Sequence, residues 1–166
     1  IFSFSLLILC SWLLLIIALA IKFEDGGNIL YVHYRLGKNG KKIGIYKFRS
    51  MVAQNNVRDF SKKDEHTKVG KLLRKTSLDE FPQFINILIG NMTLVGPRPY
   101  LFREKKDMGR SFKTIVKVKP GLTGLWQVRG RSNTDFKDRL LLDVEYYKIR
   151  SLSYLLTKNI YGTKDK

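Results

Sequence analysis

The first 21 residues, Ile1 to Ile21, carry no charged side chain, while all 31 Lys and Arg and all 14 Asp and Glu lie from Lys22 onward. An uncharged apolar run of ~18 or more residues reads as a membrane-helix candidate, and 21 helical residues extend about 31 Å, close to the hydrocarbon thickness of a bilayer. A helix buried in a soluble core is the weaker alternative. A cleaved signal peptide fits poorly, because Ala18-Leu19-Ala20 runs straight into Ile21-Lys22 with no small-residue cleavage site. The sequence predicts a membrane helix over 1–22 followed by one polar domain over 23–166. The basic excess, a net charge of +17, predicts that this domain stays on the cytoplasmic side and is drawn to anionic headgroups. The chain opens on Ile1 rather than Met, so preceding residues are expected in the full protein.

Within the polar domain, Ile29 to Arg35 and Lys42 to Phe48 are rich in Ile, Tyr and Val. Gly37-Lys38-Asn39-Gly40 between them carries the Asn-Gly signal of a hairpin turn. This places Lys47 and Arg49 at a strand end. Val52 to His66 is polar and reads as a surface loop or short polar helix. Gly70 to Lys75 reads as a short basic helix, and Asp135 to Arg150 as a longer one carrying Leu140, Leu141, Val144 and Tyr147. Leu152 to Tyr161, broken by Ser153, Thr157 and Lys158, reads as a separate amphipathic helix. Cys10 is the single cysteine, and His33 and His66 lack partners at metal-ligand spacing, so disulfide and zinc readings drop out.

The chemistry-bearing stretch is Ser77-Leu78-Asp79-Glu80-Phe81-Pro82-Gln83. Ser77 with Glu80 three residues later is a capping-box pattern that predicts a helix start, with Asp79 in its first turn and kept ionised by free N–H groups and the helix dipole. Phe81, Phe84, Ile85 and Leu88 then form a core-facing stripe, and Gly90-Asn91 supplies the stop. Taken alone, these residues only cap a helix. Farther on, Arg98 stands between Pro97 and Pro99, which fix its backbone and leave its guanidinium to fork onto phosphate oxygens or to form a surface salt bridge.

Ser77-Leu78-Asp79-Glu80-x-Pro82-Gln83, Leu94-Val95-Gly96-Pro97-Arg98-Pro99 and Pro120-Gly121-Leu122-Thr123-Gly124-x-x-Gln127 occur in this order, preceded by Arg35-Leu36-Gly37-Lys38-Asn39-Gly40 and Tyr46-Lys47-Phe48-Arg49-Ser50-Met51. Together they resemble the bacterial sugar transferases, and more narrowly the monotopic phosphoglycosyl transferases. The resemblance implies an α+β, membrane-associated domain with an N-terminal re-entrant or spanning hydrophobic helix, a β-hairpin and several amphipathic helices. It implies transfer of a sugar-1-phosphate from a UDP-sugar to undecaprenyl (polyprenyl) phosphate with release of UMP, as the first step of exopolysaccharide, capsule, O-antigen or glycoprotein glycan assembly. Asp79 is then the nucleophile that forms an aspartyl phosphosugar, and Glu80 a ligand of Mg2+. Arg98 is the leading substrate-binding residue, and Lys47, Arg49, Gln127 and Arg129 are further nominations. Asp143 is read as a surface helix acid or as a group that orients one of these cations. The expected place is the cytoplasmic face of the bacterial inner membrane, among membrane lipids, with a homo-oligomer and downstream glycosyltransferases as further partners.

The chain departs from the family pattern in two places. A kinking Ser-Pro pair is replaced by Ser11-Trp12, which gives less reason for a sharp bend, and Leu155 stands where relatives often carry an aspartate. Two other classes compete with the enzyme reading. A catalytically inactive membrane scaffold would explain the departures but not the retained Asp79 and Glu80. A basic nucleic-acid-binding module would explain the charge, yet no binding motif accompanies it and the apolar N-terminus would lack a purpose. No nucleic acid is expected as a partner.

Overall fold

The computed structural model describes residues 2–52, 66–130 and 135–161. Most of the polar stretch expected as a loop between Val52 and His66 lies outside the described residues. The chain divides into two compact units, Ile1–His33 with Gly44–Ile89, and Tyr34–Ile43 with Gly90–Lys166. Mixed helix and short strands give the α+β character expected.

In the first unit, α1 (Phe2–Leu9) and α2 (Ser11–Asp25) meet at Cys10 with a 64° bend. The missing proline had argued against a sharp bend, so this is a correction. Cys10 supplies it by leaving the helical region (φ −95, ψ 6) while its N–H still donates to the Leu6 carbonyl and its own carbonyl still accepts from Leu14. Among the described residues no single helix is long and apolar enough to cross a membrane, but this bent pair passes by length and composition. Gly26 ends α2 in the left-handed region at φ 70, its N–H donating to the Lys22 carbonyl.

One face of α2 is buried and the other bare. Ile17 and Ile21, flanked by Leu13 and Leu14, pack with Phe48, Leu73, Ile29, Val69, Leu78 and Phe81, whereas Trp12, Leu15, Ile16, Leu19 and Phe23 are exposed. Leu73 and Val69 come from α3 (Lys68–Thr76), whose N-terminus is satisfied twice. The Thr67 hydroxyl accepts from Gly70 N at 2.8 Å, and the Glu24 carboxylate accepts from Lys68 N and Val69 N at 2.5 and 3.1 Å.

The hairpin appears as read, with β1 (Leu30–Leu36) beside β2 (Lys42–Phe48). Asn39 and Gly40 both take positive φ, 58 and 72, as an Asn-Gly turn demands.

The second unit is built on α7 (Phe136–Tyr161), a single helix where two were expected. No Pro or Gly separates Arg150 from Leu152, so nothing in the backbone stops it. Leu140 of α7 packs with Leu36, Tyr100, Met108 and Ile115, the last from α5 (Ser111–Ile115). The sequence reading missed a short parallel pair, β3 (Thr93–Val95) and β4 (Gly121–Thr123), with Thr93 opposite Gly121 and Val95 opposite Thr123. Three residues apiece give no readable alternation. The pairing sets two of the motif blocks side by side.

Candidate active site

The Asp79-Glu80 pair does not begin a capped helix. Ser77 sits in the left-handed region (φ 59, ψ 16) as the C-cap of α3, its N–H donating to the Arg74 carbonyl, and its side chain caps nothing. A residue already closing one helix cannot take the extended backbone an N-cap needs, so the capping box is absent. Leu78–Glu80 form one 3-10 turn, and helix α4 (Gln83–Leu88) follows Pro82. The expected core stripe is also corrected. Phe84 is buried, but Ile85 and Leu88 are exposed, and the polar Gln83 and Asn86 take the inner side.

Asn86 explains the inversion. Its side-chain amide donates to the Gly44 carbonyl at 2.7 Å and its oxygen accepts from Tyr46 N at 3.0 Å, so it completes the hydrogen bonding of strand β2 from a fully buried position. This bidentate clasp ties the strand bearing Lys47 to the helix that follows Asp79 and Glu80. Leu78 and Phe81, on either side of the carboxylates, are anchored in the apolar core. Rotation of the turn would expose them.

Three site residues are thereby gathered. The Lys47 ammonium lies 2.6 Å from Glu80 Oε1, in a half-exposed ion pair. Asp79 is buried, and burial pushes its carboxyl above the ordinary carboxylate value. Lys47 pulls it down, Glu80 raises it, and Arg74 and a backbone N–H lower it further. Free N–H groups and a helix dipole were expected to hold Asp79 ionised; a single buried turn without a full helix behind it lets desolvation win. Arg49 is also present in this unit, with its guanidinium bonded to Asp25, where it ties the end of β2 to the end of α2.

In the second unit, Gly96 and Gly121 make the close approach on which the Arg98 loop depends. A Cβ on Gly121 would lie 2.1 Å from Gly96 N. Gly121 N donates to the Pro97 carbonyl and Gly96 N to the Thr123 carbonyl, both at 2.9 Å. The Arg98 guanidinium lies 5.6 Å from the ring centre of Trp126 on α6 (Leu125–Gly130), and Arg139 lies 5.2 Å from the same ring. Gln127 donates weakly to the Leu122 carbonyl at 3.4 Å. Arg129 is exposed and forks onto both oxygens of Glu145 at 2.7 and 2.8 Å.

Asp143, expected on the helix surface or beside a cation, has no exposed surface at all. Its Oδ2 accepts from Arg98 N at 3.1 Å and from the Tyr100 hydroxyl at 2.7 Å. Burial pushes its carboxyl up to about 6, against the lowering effect of these bonds and of Arg98. Asn86 and Trp126 escaped the sequence reading. The first could have been noticed as the one polar residue inside Phe84-Ile85-Asn86-Ile87-Leu88, the second only from the fold.

The profile described as Bacterial sugar transferase matches residues 1–161. The chain belongs to the bacterial sugar transferase family. It is 39% identical over 85% of its length to the undecaprenyl-phosphate galactose phosphotransferase of Salmonella typhimurium, of which it covers 35%. It is 43% identical over 87% of its length to the UDP-glucose:undecaprenyl-phosphate glucose-1-phosphate transferase of Klebsiella pneumoniae, covering 33% of that protein. To the exopolysaccharide production protein ExoY of Rhizobium meliloti it is 36% identical over 90% of its length and 74% of the relative's. The family member described here thus spans about a third of the first two relatives and about three quarters of the third.

Proposed function

We propose that this sugar transferase moves a sugar-1-phosphate from a UDP-sugar to undecaprenyl phosphate and so starts a lipid-linked glycan. The observation that carries the reading is the buried Asp79 beside the Lys47–Glu80 pair, in a chain whose relatives are named for this transfer. Asp79 is the nucleophile. One of its oxygens bonds to the sugar-bearing phosphorus, the bond to the bridging oxygen breaks, and UMP leaves with that electron pair. An oxygen of the acceptor phosphate then bonds to the same phosphorus and releases the Asp79 carboxylate. Burial favours this role, since a poorly solvated carboxylate has less water to shed before it attacks. Lys47 supplies positive charge that non-reacting phosphate oxygens require beside Asp79, and Arg98, in its own unit, is read from its motif as a phosphate ligand.

Among the described residues no cluster of three metal-ligating side chains occurs. The donor set nevertheless fits magnesium, which takes one or two protein carboxylates and completes its shell with substrate phosphates and water. Glu80 would hold it, with Lys47 giving up its bond, and the ion would neutralise charge on the diphosphate.

The bare face of α2 and the bend at Cys10 support a re-entrant N-terminal pair, entering and leaving the cytoplasmic leaflet of the inner membrane. The test of the chemistry is intact-protein mass spectrometry after incubation with magnesium and a panel of UDP-sugars, without acceptor. A sugar-phosphate adduct mapping to Asp79 and missing from Asp79→Asn is expected. Turnover by Asp79→Asn, or UMP release with no adduct in rapidly quenched wild type, would remove the nucleophile assignment. Glu80→Gln should need much more magnesium for UMP release, and an unchanged magnesium dependence would sink its ligand role.

A further inference from the structure

We infer that Asp143 and Trp126 are positioning residues that fix Arg98, backbone and guanidinium respectively, in the pose that grips a donor phosphate; the inference rests on the reading of Arg98 as a phosphate ligand. Pro97 and Pro99 have no N–H, so across Pro97-Arg98-Pro99 the Arg98 amide is the single main-chain donor. That donor goes to Asp143 Oδ2. The same oxygen takes the hydroxyl of Tyr100, which is almost wholly buried and whose carbonyl accepts from Leu36 N at 2.8 Å. One carboxylate oxygen therefore pins the loop on both sides of Pro99. The other, Oδ1, is buried and accepts no bond among the described residues.

A buried carboxylate with one oxygen left over is costly to keep for stability alone, because an apolar side chain of similar volume avoids its desolvation. Its use lies in rigidity. Two prolines remove the loop's own hydrogen bonds, and Asp143 replaces them with two charge-assisted ones. Trp126 completes the arrangement from the neighbouring block, its ring attracting the Arg98 guanidinium while Arg139 takes the same ring. Among the described residues Arg98 forms no ion pair with a carboxylate within bonding distance. A guanidinium held by a ring keeps its N–H donors for a ligand's oxygens.

The experiment is a double-mutant cycle on UMP release by the full-length protein in detergent or nanodiscs, with UDP-sugar saturation curves for wild type, Arg98→Ala, Asp143→Leu and the double variant. Asp143→Asn serves as the conservative rescue, and Trp126→Phe and Trp126→Leu probe the ring. Arg98→Ala should lower kcat/KM by about 100-fold, as loss of a charge-assisted phosphate contact does. Asp143→Leu is expected to lose about 10- to 100-fold, with the double variant no worse than Arg98→Ala. Asp143→Asn, which keeps an acceptor for both donors, should recover most of the activity, and Trp126→Phe should exceed Trp126→Leu. Multiplied losses in the double variant, or Asp143→Asn as poor as Asp143→Leu with an unchanged melting profile, would overturn the positioning role and leave Arg98 as a ligand. If Asp143→Leu does not fold, Tyr100→Phe, which removes one of the two bonds to Asp143, takes its place in the cycle with Arg98→Ala, and a multiplied loss there overturns the role equally. Full activity of Arg98→Ala would instead remove the phosphate-ligand reading and the inference with it.

Discussion

Asn86→Leu offers a sharp test of how the carboxylate turn is held. Leucine keeps the branched shape of asparagine but is bulkier, so at this fully buried position the change removes the two hydrogen bonds and adds some overpacking. It leaves Tyr46 N–H and the Gly44 carbonyl, bonded at 3.0 and 2.7 Å, without partners in a site closed to water on the Asn86 side. Each unpaired buried group costs about 1–3 kcal/mol, and burial of the added apolar surface offsets about 1 kcal/mol. Overpacking by the bulkier side chain roughly cancels that offset, so the net loss is about 2–6 kcal/mol, which for a chain of this size lowers Tm by roughly 6–17 °C. Thermal unfolding followed by tryptophan fluorescence in detergent measures it. Asn86→Asp should be at least as harmful, since it keeps the acceptor for Tyr46 but turns a carboxylate oxygen toward the Gly44 carbonyl. Because β2 carries Lys47, UMP release should fall as well, even well below the new Tm. A Tm within 2 °C of wild type would show that the clasp does not hold β2 to α4, and unchanged turnover would show that it does not hold Lys47 to Glu80.

Asp143 gives a pH signature of its own. Burial raises its carboxyl from 3.8 to about 6, so between those values the native state keeps a proton that the unfolded chain has lost. Stability should fall as pH rises from about 4 to beyond 6, by on the order of 3 kcal/mol, and Asp143→Asn should flatten that slope in denaturant titrations; an equal slope in the variant would refute it. Gly121→Ala places a methyl 2.1 Å from Gly96 N and 2.5 Å from the Thr123 carbonyl, so the β3–β4 register cannot persist; a loss of roughly 3 kcal/mol or more and collapse of UMP release are expected, and a loss under 1 kcal/mol would contradict the pairing. Thr67→Ala removes the acceptor for Gly70 N and should cost about 1 kcal/mol in the same denaturation assay with activity retained. A loss of activity without a loss of stability would assign Thr67 a role beyond the cap.

Legibility differed from one residue to the next for physical reasons. The hairpin was readable because Asn39-Gly40 demands positive φ on its own account, wherever the strands go. The basic helix was readable over Gly70 to Lys75 because its basic and apolar residues are neighbours in sequence, whereas its start at Lys68 under the Thr67 cap was missed. The capping box failed because Ser77 answers to two elements at once, and the preceding helix claims its backbone. The Phe81–Leu88 stripe failed because hydrophobic period assumes that polar residues face water, whereas Asn86 turns inward to complete a strand some 40 residues earlier.

The sequence by itself determined the uncharged N-terminal run, the basic remainder, the α+β class, the family and the names of the chemistry-bearing residues, all of which reside in composition or short unbroken motifs. Tertiary structure alone decided which of these candidates stand side by side. It paired Lys47 with Glu80, spent Arg49 on Asp25 and Arg129 on Glu145, and buried Asp79 so that desolvation outweighs its neighbours' charge. It also took Asp143 from an ordinary helix position to a site beneath the Arg98 loop. Local propensity depends on residues a few positions away, but burial and ion pairing depend on partners 16 to 45 residues distant along the chain, and only the folded chain brings those together.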